Sequence, residues 1–343
     1  MRLTKRKAQF YALAFLKHDF RASISVFFVA LPLCLGISLA SGAPVYSGII
    51  AGIVGGIVVS VLSKSQLSVS GPAAGLTAIC AAAITKLGAF EIFLLSVSLA
   101  GFLQIVAGLF KLAGFTHFIP SAVIKGMLAA IGIILISKQV PLLIGYDEPD
   151  FYTNTLFNII TFDHSFQHIS NLYEKTSIAA IVLVLISFLI LYLWNKFLKK
   201  RVPFLPSSFV VVLAGVVLAI AFEKFIPAFQ LRSNQFVNIP QGIFKHMQFP
   251  DFFAIFSNVE IWKSGVIIAF VASLETLLSV EAIDKLDPYN RITPQNREMI
   301  AQGTGNVLSG LLGGLPITAV IVRSSANAEA GGRTKLSSIS HGL

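Results

Sequence analysis

Leu67-Ser68-Val69-Ser70-Gly71-Pro72-Ala73-Ala74-Gly75-Leu76-Thr77 reads as a short extended stretch, a proline, and then an apolar run rich in small residues. A second stretch, Leu315-Pro316-Ile317-Thr318-Ala319-Val320-Ile321-Val322-Arg323, has the same plan. Each follows a ridge of small residues at four-residue spacing: Gly48, Gly52 and Gly56 before the first, and Gly305, Ser309 and Gly313 before the second. Such ridges let helix backbones approach closely. Proline suits the first turn of a helix, because that amide has no intrahelical acceptor. Both stretches therefore predict half-helices that begin inside a membrane after an extended approach, with proline at the first turn. The free amides and dipole of a helix start attract anions, and paired discontinuous helices mark the midplane site of many carriers. The alternative is two ordinary proline-kinked spans.

Outward from these stretches the chain is apolar. Runs at about 22–42, 45–63, 71–87, 91–112, 119–140, 176–198, 207–226, 262–282, 299–313 and 316–329 approach the ~20 residues that cross hydrocarbon. Of 343 residues, 55% are hydrophobic and 12% charged, and mean hydropathy is +0.80. That much apolar surface exceeds one globular core, so lipid must solvate part of it. The net charge of +10 is spread over short clusters between runs, so it points to membrane topology and not to nucleic acid. Arg2, Lys5, Arg6, Lys7, Lys17 and Arg21 precede the first run. Lys196, Lys199, Lys200 and Arg201 follow the sixth, Arg291 and Arg297 the eighth, and Arg333 and Lys335 the tenth. Counting crossings from a cytoplasmic N-terminus places all four groups inside, and puts Asp147, Glu148, Asp150 and Asp163 outside. The polar stretches 141–175 and 227–261 read as extracellular loops with short interfacial helices, or as segments shaping substrate entry.

Two charges within apolar runs stand out. Arg323 falls a few residues into the second half-helix, where it can add to the field around an anion or clamp the half-helix through an ion pair or carbonyls. Glu275 is embedded in span eight, and Ser279 shares its face one turn on. Together they can coordinate Na⁺, or the carboxylate can carry a proton; the structural alternative is an ion pair between Glu275 and Arg323. Glu281, Asp284 and Lys285 read as boundary charges. Cys34 and Cys80 sit in apolar runs without metal-site spacing and read as packing residues. His18, His117, His164, His168, His246 and His341 lie near interfaces or in loops, and neither GxSxG nor HExxH occurs. Nothing points to an enzyme or to a resident cofactor. The first apolar run is too long for the core of a cleavable signal.

An ordered set of motifs resembles the SulP family of sulfate permeases and related inorganic-anion carriers. It comprises His18-Asp19-Phe20, Leu31-Pro32, Ala40-Ser41-Gly42-Ala43-Pro44, Val69-Ser70-Gly71-Pro72, Gly313-Gly314-Leu315-Pro316, Arg323, Asn327 and Gly331-Gly332-Arg333-Thr334. The resemblance implies an all-α membrane fold of two inverted seven-span repeats, with half-helices three and ten facing each other across an anion site. It implies elevator-like movement in a homodimer, and transport of sulfate, bicarbonate or chloride with Na⁺ or H⁺ coupling in some members. By motif, the anion site would involve Cys34, Ser70, Gly71, Ala73, Ala74, Ala319, Val320 and Ile321, with Arg323 behind it. Glu275 and Ser279 stand where Na⁺-coupled bicarbonate carriers place an acidic and a hydroxyl residue.

On this reading residues 1–21 form a cytoplasmic amphipathic N-terminus, 22–226 the first repeat, 227–261 an extracellular loop and 262–343 an incomplete second repeat. The family pattern expects an eleventh span at Ser340-His341-Gly342-Leu343, three more beyond it and a cytoplasmic STAS domain, so the sequence reads as C-terminally truncated. Leu33 and Cys34 follow Leu31-Pro32 where many relatives carry glutamine, which changes the polarity of the pocket. The expected function is secondary transport of small inorganic anions across the cytoplasmic membrane. The alternatives are a nucleobase permease of the same fold and a non-transporting membrane module.

Overall fold

A computed structural model of the chain describes residues 5–114, 176–198, 207–226, 247–256 and 258–343, with isolated positions within 126–145 and 229–236. Most of the fifth expected span and of the 141–175 loop, with its acidic residues and His164 and His168, lies outside the described residues.

The described chain is mostly helical. It runs α1 (Lys5–Ala40), α2 (Val45–Val54), β1 (Ser70–Pro72), α3 (Thr77–Leu87), α4 (Phe90–Leu109), α5 (Ile178–Leu193), α6 (Ser207–Phe225), α7 (Val259–Asp284), α8 (Gln295–Leu311), β2 (Ile317–Ala319), α9 (Ile321–Glu329) and α10 (Leu336–Gly342). A π-turn, Gly55–Val59, extends α2, and a 3₁₀ turn, Ala74–Leu76, leads into α3. Among the described residues five helical stretches are long and apolar enough to cross a membrane: Phe15–Ala40, Val45–Leu62, Phe90–Leu109, Ile178–Leu198 and Val259–Asp284. The basic N-terminal segment continues into the first span as one helix, with Pro32 inside it.

The chain packs as two compact units, Met1–Ile124 with Ile239–Leu343, and Lys125–Asn238. In the second unit α5 packs on α6, and the Ser177 hydroxyl caps α5 by accepting from the Ala180 amide at 3.3 Å. The first unit is built around α4, which lies against α7 and α8. Helices in lipid gain little from hydrophobic segregation and depend on close packing. Gly101 of α4 meets the backbone of Val307, and Gly303 and Gly310 of α8 meet backbone atoms of α4, leaving no room for a methyl group. The α8 residues in this seam are thus seven apart, on a line distinct from the Gly305-Ser309-Gly313 ridge. Along that ridge Gly305 packs on Val59, and the Ser309 hydroxyl donates to the Leu315 carbonyl at 2.6 Å. In the other ridge, Gly48 and Gly52 press on Cys34 of α1, and Gly56 presses on Gly342 of α10.

β1 and β2 pair antiparallel, with Ser70 opposite Ala319, Gly71 opposite Thr318 and Pro72 opposite Ile317. This corrects one expectation: Pro72 closes a strand and Pro316 precedes one, so neither opens a helix. A proline at the end of a two-stranded ladder forfeits no bond, because its missing N–H is not required there. The Pro316 carbonyl instead accepts from the Ala73 amide at 3.0 Å. The expected span at 316–329 is accordingly a strand followed by α9, and that at 299–313 starts earlier, at Gln295.

Extended backbone inside a membrane survives only if its polar groups are paired within protein. Here side chains complete the pairing. The Asn306 amide oxygen accepts from Ile317 N at 2.6 Å, and its Nδ2 donates to Ile317 O at 3.0 Å. Val69 N donates to Ser324 Oγ at 2.8 Å, Asn327 Nδ2 to Leu67 O at 3.0 Å, and Ala319 N to Thr276 Oγ1 at 3.3 Å.

Candidate functional site

The strand pair sets the starts of two half-helices side by side. Ala73 is buried and extended, and the chain then tightens through Ala74–Leu76 into α3. Beyond β2, Val320 is buried and extended, and α9 begins at Ile321. The amides of Ile321, Val322 and Arg323 occupy the first turn, where an α-helix offers no acceptor of its own. Val320 N is already bound to Val69 O at 3.0 Å. The Ile321 side chain is 38% exposed, so only its backbone can serve the site.

Arg323 is fully buried on the first turn of α9. Its Nη2 donates to Cys34 Sγ at 3.4 Å, and Nη1 lies over Gly71, where any side chain would collide with it. Nε and Nη1 have no hydrogen-bond partner among the described residues. The ion pair with Glu275 weighed from sequence does not form: the ion pairs among the described residues are Lys86–Glu260, Lys263–Glu260, Lys285–Glu281 and Arg291–Asp287. Of the expected anion-site residues, Cys34, Gly71 and Arg323 thus touch directly, and Ser70 and Ala319 face each other across the ladder.

Glu275 reaches the other half-helix. Its Oε1 accepts from Gly75 N at 3.4 Å, in the turn that opens α3, while Oε2 is buried without a partner among the described residues. The Thr318 hydroxyl of β2 faces this carboxylate without a well-formed hydrogen bond. Ser279 is buried one turn on from Glu275. Glu275 and Thr318 therefore bring two under-coordinated oxygens together, the hard donors that suit Na⁺ or a proton, with Ser279 on the same helix face.

Sequence reading missed a polar face on α8. Glu298, Gln302 and Asn306 are all fully buried. Gln302 Nε2 donates to Ser70 Oγ at 2.7 Å and to Glu298 Oε1 at 3.1 Å, and the Ser63 hydroxyl bonds to Glu298 Oε2. Asn306 Nδ2 also donates to Gln104 Oε1 at 2.7 Å. The four-residue spacing of three large polar residues in one span was the available signal. Asp284 is also more than a boundary charge, for its carboxylate accepts from Thr293 N and Oγ1, both at 2.7 Å. Two of the motif segments meet: Asp19 of α1 accepts from the amides of Arg333 at 2.7 Å and Thr334 at 3.0 Å.

Half-helices held start to start by a buried strand pair, with a buried arginine beside them, define a multi-pass α-helical membrane protein with discontinuous helices. The comparisons with known proteins specify it further. The pattern of the Sulfate permease family matches residues 16–343, and the chain belongs to that family. It is 26% identical over 333 residues to YvdB of Bacillus subtilis (strain 168), named a candidate sulfate transporter, covering 97% of this chain and 59% of that protein. It is 27% identical over 336 residues to the bicarbonate transporter BicA of Picosynechococcus sp., covering 94% of this chain and 55% of that protein. The chain thus spans little more than half the length of these curated relatives. Its fold matches the solved transmembrane domain of a cyanobacterial bicarbonate transporter BicA, with TM-score 0.77 at 23% identity, covering 96% of this chain and 80% of that one.

Proposed function

We propose that this chain is the membrane part of a secondary active carrier for small inorganic anions, with sulfate and bicarbonate the leading substrates and chloride a further candidate. The single observation that carries the reading is Arg323, a fully buried guanidinium with two unpartnered nitrogens, Nε and Nη1, and no carboxylate paired to it among the described residues. A buried charge of that kind is costly unless an opposite charge meets it. An anion between the two half-helix starts would accept from Arg323 and from the first-turn amides of α9. Cys34, Ser70, Gly71, Ala73, Ala74, Ala319, Val320 and Ile321 are the proposed surroundings. Such a site reads charge and size, so it favours a small anion over a nucleobase needing several directed bonds.

Glu275, with Thr318 and Ser279, is the proposed coupling site for Na⁺ or H⁺, the only added ion this reading calls for. Membership in the family supports two inverted repeats, elevator-type alternating access and a homodimer in the full-length protein. The basic loops support placement in the cytoplasmic membrane with the N-terminus inside.

The test is uptake of radiolabelled sulfate and bicarbonate by the full-length protein in proteoliposomes. Arg323→Ala should lower anion affinity by about 2–5 kcal/mol, the cost of removing one partner of a buried charged pair, or at least roughly thirtyfold. Arg323→Lys should not restore it, since a point charge cannot replace the planar fork. Uptake at the wild-type level by the alanine variant would refute the assignment.

A further inference from the structure

We propose that the first unit holds an anionic glycerophospholipid in a basic cavity where α4 ends and α8 begins. The cavity has a volume of about 490 Å³ and is lined by Leu62, Leu109, Ile300, Lys111, Asn296 and Arg297, among others. Its walls are apolar and carry two cations but no carboxylate. Lys111, two residues past the end of α4, has a left-handed backbone conformation, at φ 59°. This conformation costs a residue with a side chain about 1–2 kcal/mol, and Lys111 lies in the cavity wall.

Among the described residues no ion pair engages the cations around the cavity, Lys64, Lys111, Arg297 and Lys335. Partial burial, followed by the repulsion of Lys64 and Arg297, holds the Lys335 ammonium below the usual lysine range. The nearby carboxylate of Glu298 sits beneath, bound to Ser63 and Gln302. Lys335 itself is tied to backbone, donating to Val61 O at 2.8 Å. A diffuse anion would answer the charge but not the apolar walls.

The surface beside the cavity specifies the rest of the ligand. Leu109, Phe110 and Leu112 are 65%, 74% and 54% exposed, and Val61 is 53% exposed. In a membrane helix such side chains face acyl chains. Basic pockets between membrane helices near one interface take anionic headgroups, with each cation adding to the attraction. A phosphodiester seated between Lys111 and Arg297, with its acyl chains running over Leu109 and Phe110, satisfies both features. This site is separate from the one between the half-helices and does not depend on the transported anion.

The test is native mass spectrometry of the purified full-length protein from micelles containing equal phosphatidylglycerol and phosphatidylcholine. Phosphatidylglycerol should be retained at least about tenfold over phosphatidylcholine, and added salt should lower the ratio. The Lys111→Gln, Arg297→Gln double variant should bring the ratio close to one, while Lys285→Gln, elsewhere on the surface, should leave it unchanged. Ile300→Glu, which places a carboxylate in the cavity with both cations intact, should also abolish the preference and decides the matter if the double variant fails to fold. The proposal is overturned by a wild-type ratio near one, by a ratio that survives these cavity variants, or by glycerol 3-phosphate displacing the lipid at millimolar concentration. The last outcome would mark a site for soluble anions.

Discussion

Asn306 binds Ile317 as a neighbouring strand would, accepting from its N–H at 2.6 Å and donating to its C=O at 3.0 Å. One side chain of α8 thereby replaces the missing outer partner of β2. Asn306→Leu would leave the backbone of Ile317 and the Gln104 amide oxygen buried without partners, at about 1–3 kcal/mol for each unsatisfied group. We expect a loss of at least about 3 kcal/mol, read as a lowered thermal midpoint of the purified protein in detergent. Asn306→Asp should fall between, since it still accepts from Ile317 N. An unchanged midpoint for the leucine variant would mean that β2 is held by its ladder alone.

Two glycines separate the proposed anion and cation functions. A methyl group on Gly71 would strike Arg323 Nη1, and one on Gly75 would press on the Glu275 carboxylate. Gly71→Ala should raise the apparent KM for the anion at least about tenfold, equivalent to 1.4 kcal/mol. Gly75→Ala should mainly change the dependence of uptake on the coupling cation. Uptake measured against both concentrations distinguishes the two, and identical effects would argue that both residues act only through packing.

Much of this was legible because charge in an apolar run is conspicuous. Arg323 and Glu275 stood out on that ground, and the two extended approaches stood out because they repeat. The prolines misled. Their preference for helix starts is real, but Pro72 ends β1 and Pro316 immediately precedes β2, strands of a pair whose existence depends on residues some 245 positions apart in the chain. Thr318 gave no signal, because a hydroxyl among apolar residues is ordinary until a carboxylate is seen facing it. Gly303 and Gly310 fall outside the four-residue ridge because their seam with α4 repeats at seven.

Glu275→Gln keeps the shape of the side chain and an oxygen for the Gly75 amide, so the start of α3 should remain in place. It removes the charge on the oxygen that has no partner among the described residues. We expect uptake to lose its dependence on Na⁺ or on a pH gradient, with the fold intact by circular dichroism. Thr318→Val should weaken the apparent cation affinity about tenfold while leaving the fold unchanged. A cation requirement that persisted in the glutamine variant would place the coupling site elsewhere.

Asp287 offers a pH test outside the membrane spans. Its carboxylate is gripped in bidentate fashion by Arg291, with Nε at 2.6 Å and Nη2 at 3.0 Å, and also accepts from Tyr289 N at 3.0 Å. Partial burial would raise its pKa, but the bonds from Arg291 and Tyr289 outweigh that and hold it below the usual aspartate value. Because the folded pKa lies below the unfolded one, the ionised form stabilises the fold at all pH values above about 4. That contribution is lost as pH falls through the folded value. Asp287→Asn should therefore cost about 1.5–3 kcal/mol at neutral pH, as expected for hydrogen bonds to a charged group. Arg291 also donates to Arg333 O at 2.9 Å and stacks on Tyr289 at 4.9 Å, so these contacts should persist in the variant. Thermal midpoints of the two proteins, compared from pH 7 downward, should converge below about pH 4. A gap that stayed constant across that range would show that Asp287 acts through shape and not through charge.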